Sequence, residues 1–370
     1  MKIVFASYTN QPGYHSPREW IEKIKKFTAL MEAFSKHCPV TYITHIGDEA
    51  HFTQNGVEYR FLFTAKKNKY RIPIRMNKAI KNMRPDIVII SGLRFPLQVL
   101  QLRWFLGKKV KLVARHHADK PPRGVKKVLQ QLADRCINAY LFTSLGNAGD
   151  WINAGIIKNQ RKIYELIAAS ADFSRMDTTE SMKITGMKGK YNFLWVGRLN
   201  ANKDPLTVIS GFEKYLLVEP SAKLYMIFQE EDLLAEVKQR TGQNELLEPA
   251  VILVGYVPYE LLVEWYSAAD YFISGSHSEG GSFALLEAMA CGCIPIVTSI
   301  PAALKVIEYG RYGIIFRPGD ADDLANKLLG LSGINHNELS GSIENHFRKE
   351  LSTNAIADKL YSYCKELLAK

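Results

Sequence analysis

Tyr271-Phe-Ile-Ser-Gly-Ser-His-Ser-Glu279-Gly-Gly-Ser-Phe-Ala-Leu-Leu-Glu287 runs from a short apolar strand, through a loop of small polar residues, into a largely apolar helix. A continuous apolar run of this length reads as a strand covered on both faces, and with the helix it makes one half of a βαβ unit. The same rhythm extends in both directions. Strand-like runs at 193–196, 223–228, 251–254, 294–298 and 313–316 alternate with helical patterns at 205–217, 232–241, 259–268, 283–290 and 322–329. Alternation of this kind predicts a parallel, doubly wound sheet.

The first half repeats the pattern independently. Apolar runs at 3–8, 40–46, 57–63, 87–91, 110–115, 140–143 and 163–167 are separated by helical patterns at 17–35, 71–83 and 96–105. Runs 40–46 and 57–63 look like a hairpin, a local exception. Two doubly wound halves are therefore expected, residues 1–170 and 190–345, with a polar seam at about 169–190. A final helical stretch, 346–370, has no strand after it and is expected to pack back toward the first domain.

The bulk composition narrows the class. A chain of 370 residues with 47% hydrophobic and 23% charged residues is an ordinary globular balance, without a disordered signature. The five cysteines, Cys38, Cys136, Cys291, Cys293 and Cys364, are odd in number and scattered, which argues for reduced thiols in a cytosolic setting. Cys291-Gly-Cys293 is too closely spaced for a zinc knuckle and reads as small residues packed at a helix end. No signal peptide and no membrane span is expected from the apolar runs.

The charge is uneven. Residues 1–170 carry 29 Lys and Arg against 11 Asp and Glu, and the remainder carries 19 against 26. From Arg60 to Lys127 there are 19 basic residues, with Asp86 and Asp119 as the only acids. Such a region fits an anionic partner, either nucleic acid or an anionic membrane surface; a merely solvated basic face is the plain alternative.

Ligands of doubly wound folds lie beyond the carboxyl ends of the strands, so loops there hold the candidate chemistry. After the strand at 193–196 come Gly197, Arg198 and Lys203, two cations able to clamp a diphosphate. After the strand at 271–274, small residues let the backbone approach a ligand, Ser282 fits an N-cap, and free N–H groups would face an anion. Glu279 stands in that loop and Glu287 inside the helix. A glutamate within Ala-Leu-Leu-Glu-Ala-Met-Ala is costly to bury without partners, so a ligand-facing role is expected.

Gly197-Arg198-Leu with Lys203, followed by Ser-Glu279-Gly-Gly-Ser-Phe-Ala-Leu-Leu-Glu287-Ala-Met-Ala-Cys-Gly-Cys-Ile-Pro-Ile-Val, resembles the retaining glycosyltransferases of family 4. The match runs from about Tyr191 to Leu329. The resemblance implies an α/β fold of GT-B architecture, two Rossmann-like doubly wound domains facing across a cleft. It implies sugar transfer from a nucleotide-diphosphate sugar to a saccharide or lipid-linked acceptor, with retention of configuration, as in cell-envelope polysaccharide or glycolipid synthesis. Glu279 would hold the donor sugar's hydroxyls and Glu287 the ribose. The N–H groups of Gly281, Ser282 and Phe283 would meet the distal phosphate, with Arg198 and Lys203 stabilising the leaving diphosphate. Gly255, Tyr256 and Val257 would lie by the base, and Gly13 would border the donor phosphates.

On the acceptor side the resemblance points to the doubled His116-His117, of which His117 lies further past its strand and is the favoured catalytic group. His277 is a loop residue able to touch the acceptor. Two departures stand out: Phe228-Gln229-Glu230-Glu231 replaces a glycine-rich turn, and Ala168-Ala-Ser-Ala-Asp172 replaces Asn-Gly-Val-Asp. Asp320-Ala-Asp322 has the spacing of a metal motif, but it opens a helix and reads better as a cap. No metal and no cofactor beyond the donor is expected. A cytoplasmic protein, peripheral on the inner membrane face and not bound to nucleic acid, is the resulting picture. An epimerase or phosphorylase on the same fold, or a non-catalytic nucleic-acid or membrane-binding protein, are the alternatives.

Overall fold

The structure, a computed structural model, describes residues 1–65, 73–117 and 119–370. The start of the helical pattern expected at 71–83 lies outside the described residues. The chain divides into two compact units, Met1–Ala169 with Thr353–Lys370, and Ser170–Ser352.

The first unit is built on eight strands: β1 (Ile3–Gln11), β2 (Val40–Ile46), β3 (Ala50–Gln54), β4 (Val57–Phe63), β5 (Ile87–Ser91), β6 (Lys111–Arg115), β7 (Ala139–Phe142) and β8 (Ile163–Glu165). Their order is β3-β4-β2-β1-β5-β6-β7-β8. Every pairing is parallel except β3 with β4. The central strands are covered on both faces, which is why they read as unbroken apolar runs rather than alternating ones. Ile3, Val4, Ala6, Val88 and Ile89 are wholly buried.

The hairpin is placed differently from the sequence reading. β2 and β4 run parallel, from Val40 opposite Val57 to Ile46 opposite Phe63. The hairpin partner of β4 is the short strand β3. Asn55 and Gly56 turn it with φ of 49° and 80°, the two left-handed residues of a type I′ turn. A Cβ on Gly56 would also meet Ser35 Oγ at 2.6 Å. The polar, mostly exposed composition of Ala-His-Phe-Thr-Gln hid an edge strand that the Asn-Gly pair could have revealed.

The second unit has six parallel strands, β9 (Asn192–Gly197), β10 (Lys223–Phe228), β11 (Val251–Gly255), β12 (Tyr271–Ser274), β13 (Ile294–Thr298) and β14 (Ile314–Phe316). They lie in the order β11-β10-β9-β12-β13-β14. From β9 the chain steps outward to β10 and β11, then returns to place β12 on the other side of β9. That reversal, between β9 and β12, is the switch point where such sheets bind ligands. The segment after Ala169 folds into this unit: Asp177 caps the helix Thr178–Thr185, which packs against the helix Leu262–Ala268.

The tail is not one helix. Chain 336–351 belongs to the second unit, the helical path breaks at Ser352 with ψ of 156°, and Thr353–Ala369 lies against the helix Lys25–Ser35 of the first unit. His37 stacks on Tyr361 there, centroids 4.7 Å apart.

Candidate functional site

The loops after β9 and β12 meet at the switch point of the second unit. Asp204 makes the junction. Its backbone is left-handed (φ 46°, ψ 59°), a strained state for a residue with a side chain. One carboxylate oxygen accepts from the Thr207 N–H at 3.2 Å, capping the helix Pro205–Leu216, and the other meets His277 Nε2 at 2.9 Å. The backbone completes the joint: the His277 N–H donates to the Asn202 carbonyl at 2.8 Å, and Asn202 Nδ2 donates to the Ser278 carbonyl at 3.1 Å. Gly275 is needed for this approach, because a Cβ there would stand 2.9 Å from the Asp204 carbonyl oxygen and 3.0 Å from Val208.

That joint sets Lys203 against Glu279. The ammonium donates to Glu279 Oε1, the same oxygen that receives the Ser276 hydroxyl at 2.9 Å. Both side chains are largely buried, 17% and 13% exposed, so the pair is shielded from water rather than a surface contact. Ser276 is held in turn by Ser274 Oγ at 3.1 Å and by Thr298, which donates to its carbonyl at 2.5 Å. Gly197 ends β9 beneath the Lys203 stem. Arg198 is exposed and stands 3.6 Å from Glu230, itself exposed. The residue that replaces the glycine-rich turn therefore sets a carboxylate beside one of the two candidate cations. A pair so open to solvent is weak.

Glu287 lies one turn inside the helix Phe283–Ala290 and is 3% exposed. Its Oε2 accepts from the Tyr266 hydroxyl at 3.0 Å, and the Tyr259 hydroxyl is also bound to it. This revises the argument from burial: the carboxylate has partners within its own unit, so burial by itself does not demand a ligand. Desolvation first, then the Glu287 charge, raises the pKa of both tyrosines, which keeps them as neutral donors. Tyr259 follows Gly255, Tyr256 and Val257 at the end of β11, so that loop reaches Glu287 through it. Tyr256 itself is 65% exposed and Val257 is buried.

Ser282 occupies the N-cap position with extended backbone, but its side chain makes no capping bond. Around Gly281, space is open on the side where a Cβ would stand. Asp320 is a genuine cap, accepting from the Asp323 N–H at 2.8 Å, while Asp322 pairs with Lys214. Cys291 and Cys293 are buried behind the helix end, and desolvation raises their thiol pKa values, that of Cys291 to about 12.

In the first unit the doubled histidine divides. His116 is buried, stacked on Phe142 at 4.7 Å, with Nε2 3.0 Å from the Asp119 carbonyl. Its ring is packed in the core of the first unit. His117 is exposed past the end of β6. Desolvation first, then the nearby Arg115 and His116, lowers its pKa, which favours the neutral imidazole at pH 7. Gly13 lies in an exposed turn after β1, in open space.

Sequence reasoning missed Asp204, Ser276, Tyr259 and Tyr266. The first was visible as an Asp immediately before Pro205, the signature of a cap followed by a helix start. The tyrosines lie 28 and 21 residues before Glu287 and are joined to it only by tertiary packing.

Residues 177–340 match the family model described as glycosyl transferases group 1. Mannosylfructose-phosphate synthase of Agrobacterium fabrum is 32% identical over 183 residues, covering 46% of this chain and 40% of that protein. GDP-mannose:cellobiosyl-diphosphopolyprenol alpha-mannosyltransferase of Xanthomonas oryzae is 22% identical over 290 residues, covering 76% and 73%. The chain thus spans about two fifths of the first relative and nearly three quarters of the second. The crystal structure of Anabaena HepE in complex with UDP superposes with a TM-score of 0.73 at 14% identity, covering 99% of this chain and 100% of that one. At that identity the likeness speaks for the fold, which is of the GT-B class in both units. Lys203, Glu279 and Glu287 all lie inside the stretch 177–340 that matches the glycosyl transferases group 1.

Proposed function

We propose that the protein transfers a sugar from a nucleotide-diphosphate sugar to a saccharide or lipid-linked acceptor, with retention of anomeric configuration. The observation that carries this reading is the shielded Lys203–Glu279 pair at the switch point of a unit matched by the glycosyltransferase family. The mannosyltransferase relative is named for a diphosphopolyprenol-linked acceptor, which supports the lipid-linked alternative and a role in cell-envelope polysaccharide or glycolipid synthesis.

The pair also has a mechanism. Paired with each other, Lys203 and Glu279 are neutral as a unit. An incoming diphosphate offers Lys203 more negative charge than Glu279 does, and Lys203 turns toward it with Arg198. Glu279, still held by Ser276, is then free to accept hydrogen bonds from sugar hydroxyls. Glu287, oriented by Tyr266 and Tyr259, takes the ribose hydroxyls, and the N–H groups of Gly281, Ser282 and Phe283 face the distal phosphate. The bond from the anomeric carbon to the phosphate oxygen breaks as the acceptor oxygen bonds that carbon on the same face. The acceptor's proton passes to the leaving phosphate. Lys203, Arg198 and the helix start stabilise the charge that develops there, so the reaction is proposed to run without a metal. His117 is proposed for the acceptor side.

Thermal-shift measurement against UDP- and GDP-sugars, followed by product analysis with the responding donor labelled, tests this. The expected result is a stabilising donor and label transferred to an acceptor. Isomerised donor, or release that depends on added phosphate, would instead assign an epimerase or a phosphorylase.

A further inference from the structure

Helices Pro96–Leu106 and Val125–Asp134 are the crossovers from β5 to β6 and from β6 to β7. These three strands are neighbours in that order, so right-handed crossovers place both helices side by side on one face of the sheet. Each has a complete inward stripe: Val99 and Leu102 in the first, Gln130 and Ala133 in the second, are all buried. Each also has an outward stripe that is apolar, which helix packing does not require. Leu97 and Trp104 stand one heptad apart, the latter 80% exposed. Val125, Val128 and Leu132 follow the same spacing, with Val125 77% and Val128 54% exposed. The helices run antiparallel to the strands, so Leu97 and Val125 lie toward one end of the face and Trp104 and Leu132 toward the other. The result is an apolar ridge about 10 Å long.

The charge around it has one sign. Lys108 and Lys109 follow Trp104, and Arg123 and Lys126 bracket Val125, all exposed. Between Pro96 and Gln131 the only acid is Asp119, and its carboxylate accepts from the Leu93 N–H and faces Arg94. Scattered apolar residues on a surface are ordinary, but two aligned stripes with basic ends are not. Lysine is depleted at protein–protein contacts, whereas an interfacial Trp with branched aliphatics and basic flanks matches the headgroup region of an anionic bilayer. Among the described residues no helix is long and apolar enough to cross a membrane, so contact would be from one side. We propose that the outward faces of these two helices form a docking surface for anionic phospholipid, with Trp104, Val125 and Val128 entering the interface and the cations at its ends holding phosphate groups.

The proposal is read without donor or acceptor, so it stands or falls separately from sugar transfer. The test is co-sedimentation of the whole protein with vesicles of phosphatidylglycerol in phosphatidylcholine, against vesicles of phosphatidylcholine alone. Binding is expected to the first only and to weaken as salt is raised. The double variant Trp104→Ser with Val128→Ser is expected to bind about tenfold or more weakly, while its melting temperature is unchanged because both side chains are exposed. Trp104 is the exposed one of five tryptophans, so brominated lipid should quench wild-type emission and spare a Trp104→Phe variant. Undiminished binding by the double variant, equal binding to both vesicle types, or an oligonucleotide that binds through the same residues in place of vesicles would each overturn the assignment.

Discussion

The two units each have a switch point, and they use it differently. In the second unit, between β9 and β12, most of the side chains expected to carry chemistry are fastened by another: Lys203 by Glu279, Glu279 by Ser276, His277 by Asp204, Glu287 by Tyr266 and Tyr259, with the exposed Arg198 the exception. In the first unit the loop after β1 holds Gly13 in open space, and the loop after β6 holds one buried and one exposed histidine. A site that must present fixed charge to a common ligand is built rigid. A site for a variable ligand has less to hold in place. The contrast teaches that fastening residues, rather than charged ones alone, set the loops of Lys203 and Glu279 apart from an ordinary strand end.

The largest way to break that contrast is Lys203→Ala. It removes the cation proposed to meet the departing diphosphate, and transfer is expected to fall about 10²–10³-fold. Glu279→Gln keeps the Ser276 contact and the shape but frees Lys203, so donor affinity and transfer should separate. Near-normal rates in either variant, measured with the donor found by thermal shift, would remove the pair from the reaction.

The next test lies in the first unit. His117→Ala is expected to lower transfer about 100-fold with stability changed by no more than about 0.5 kcal/mol, as for other exposed positions. His116→Ala should do the reverse, costing about 1–3 kcal/mol in denaturant unfolding through the lost stacking on Phe142 while the folded fraction keeps its rate. If the two profiles are exchanged, the assignment of core and surface roles is wrong.

Tyr266→Phe sharpens the claim about fastening. It leaves Glu287 buried with one hydroxyl fewer, and the expected cost is about 1–3 kcal/mol of stability. Donor KM should rise more than kcat falls, because the lost contact orients a residue proposed for ribose binding. A variant with unchanged stability and unchanged KM would mean that Tyr259 alone suffices.

Much of this is legible in the sequence. The positions of Lys203, Glu279 and Glu287 follow from strand ends and helix starts, since period, length and small-residue loops are written locally. The parallel course of β2 and β4 is not, because a hairpin and a crossover can share the same two apolar runs, and the polar strand between them carries no apolar signal. The helix Val125–Asp134 is legible in the regular spacing of Val125, Val128, Leu129 and Leu132, but not that this apolar stripe faces outward while Gln130 and Asp134 are buried. The fate of His116 and His117 turned on one residue of register at a strand end, and alternation cannot say where a strand stops.

On acid stability the units converge. His116 in the first and His346 in the second are both buried, and desolvation chiefly lowers the pKa of each. His346 stacks on Tyr312 with centroids 4.0 Å apart and has Glu308 at 3.8 Å, which only partly offsets the desolvation. A histidine that protonates at about 6.5 when unfolded and lower when folded binds its proton first in the unfolded chain. Its contribution is therefore intact above pH 6.5 and lost as pH falls from there toward the folded value, with a slope of up to about 1.4 kcal/mol per pH unit for each histidine. Unfolding free energies at pH 7, 6 and 5 should decline, and replacing both rings, His116→Phe with His346→Phe, should flatten the decline over that interval. A slope unmoved by the double replacement would place the acid sensitivity elsewhere, because most carboxylates do not titrate in that window.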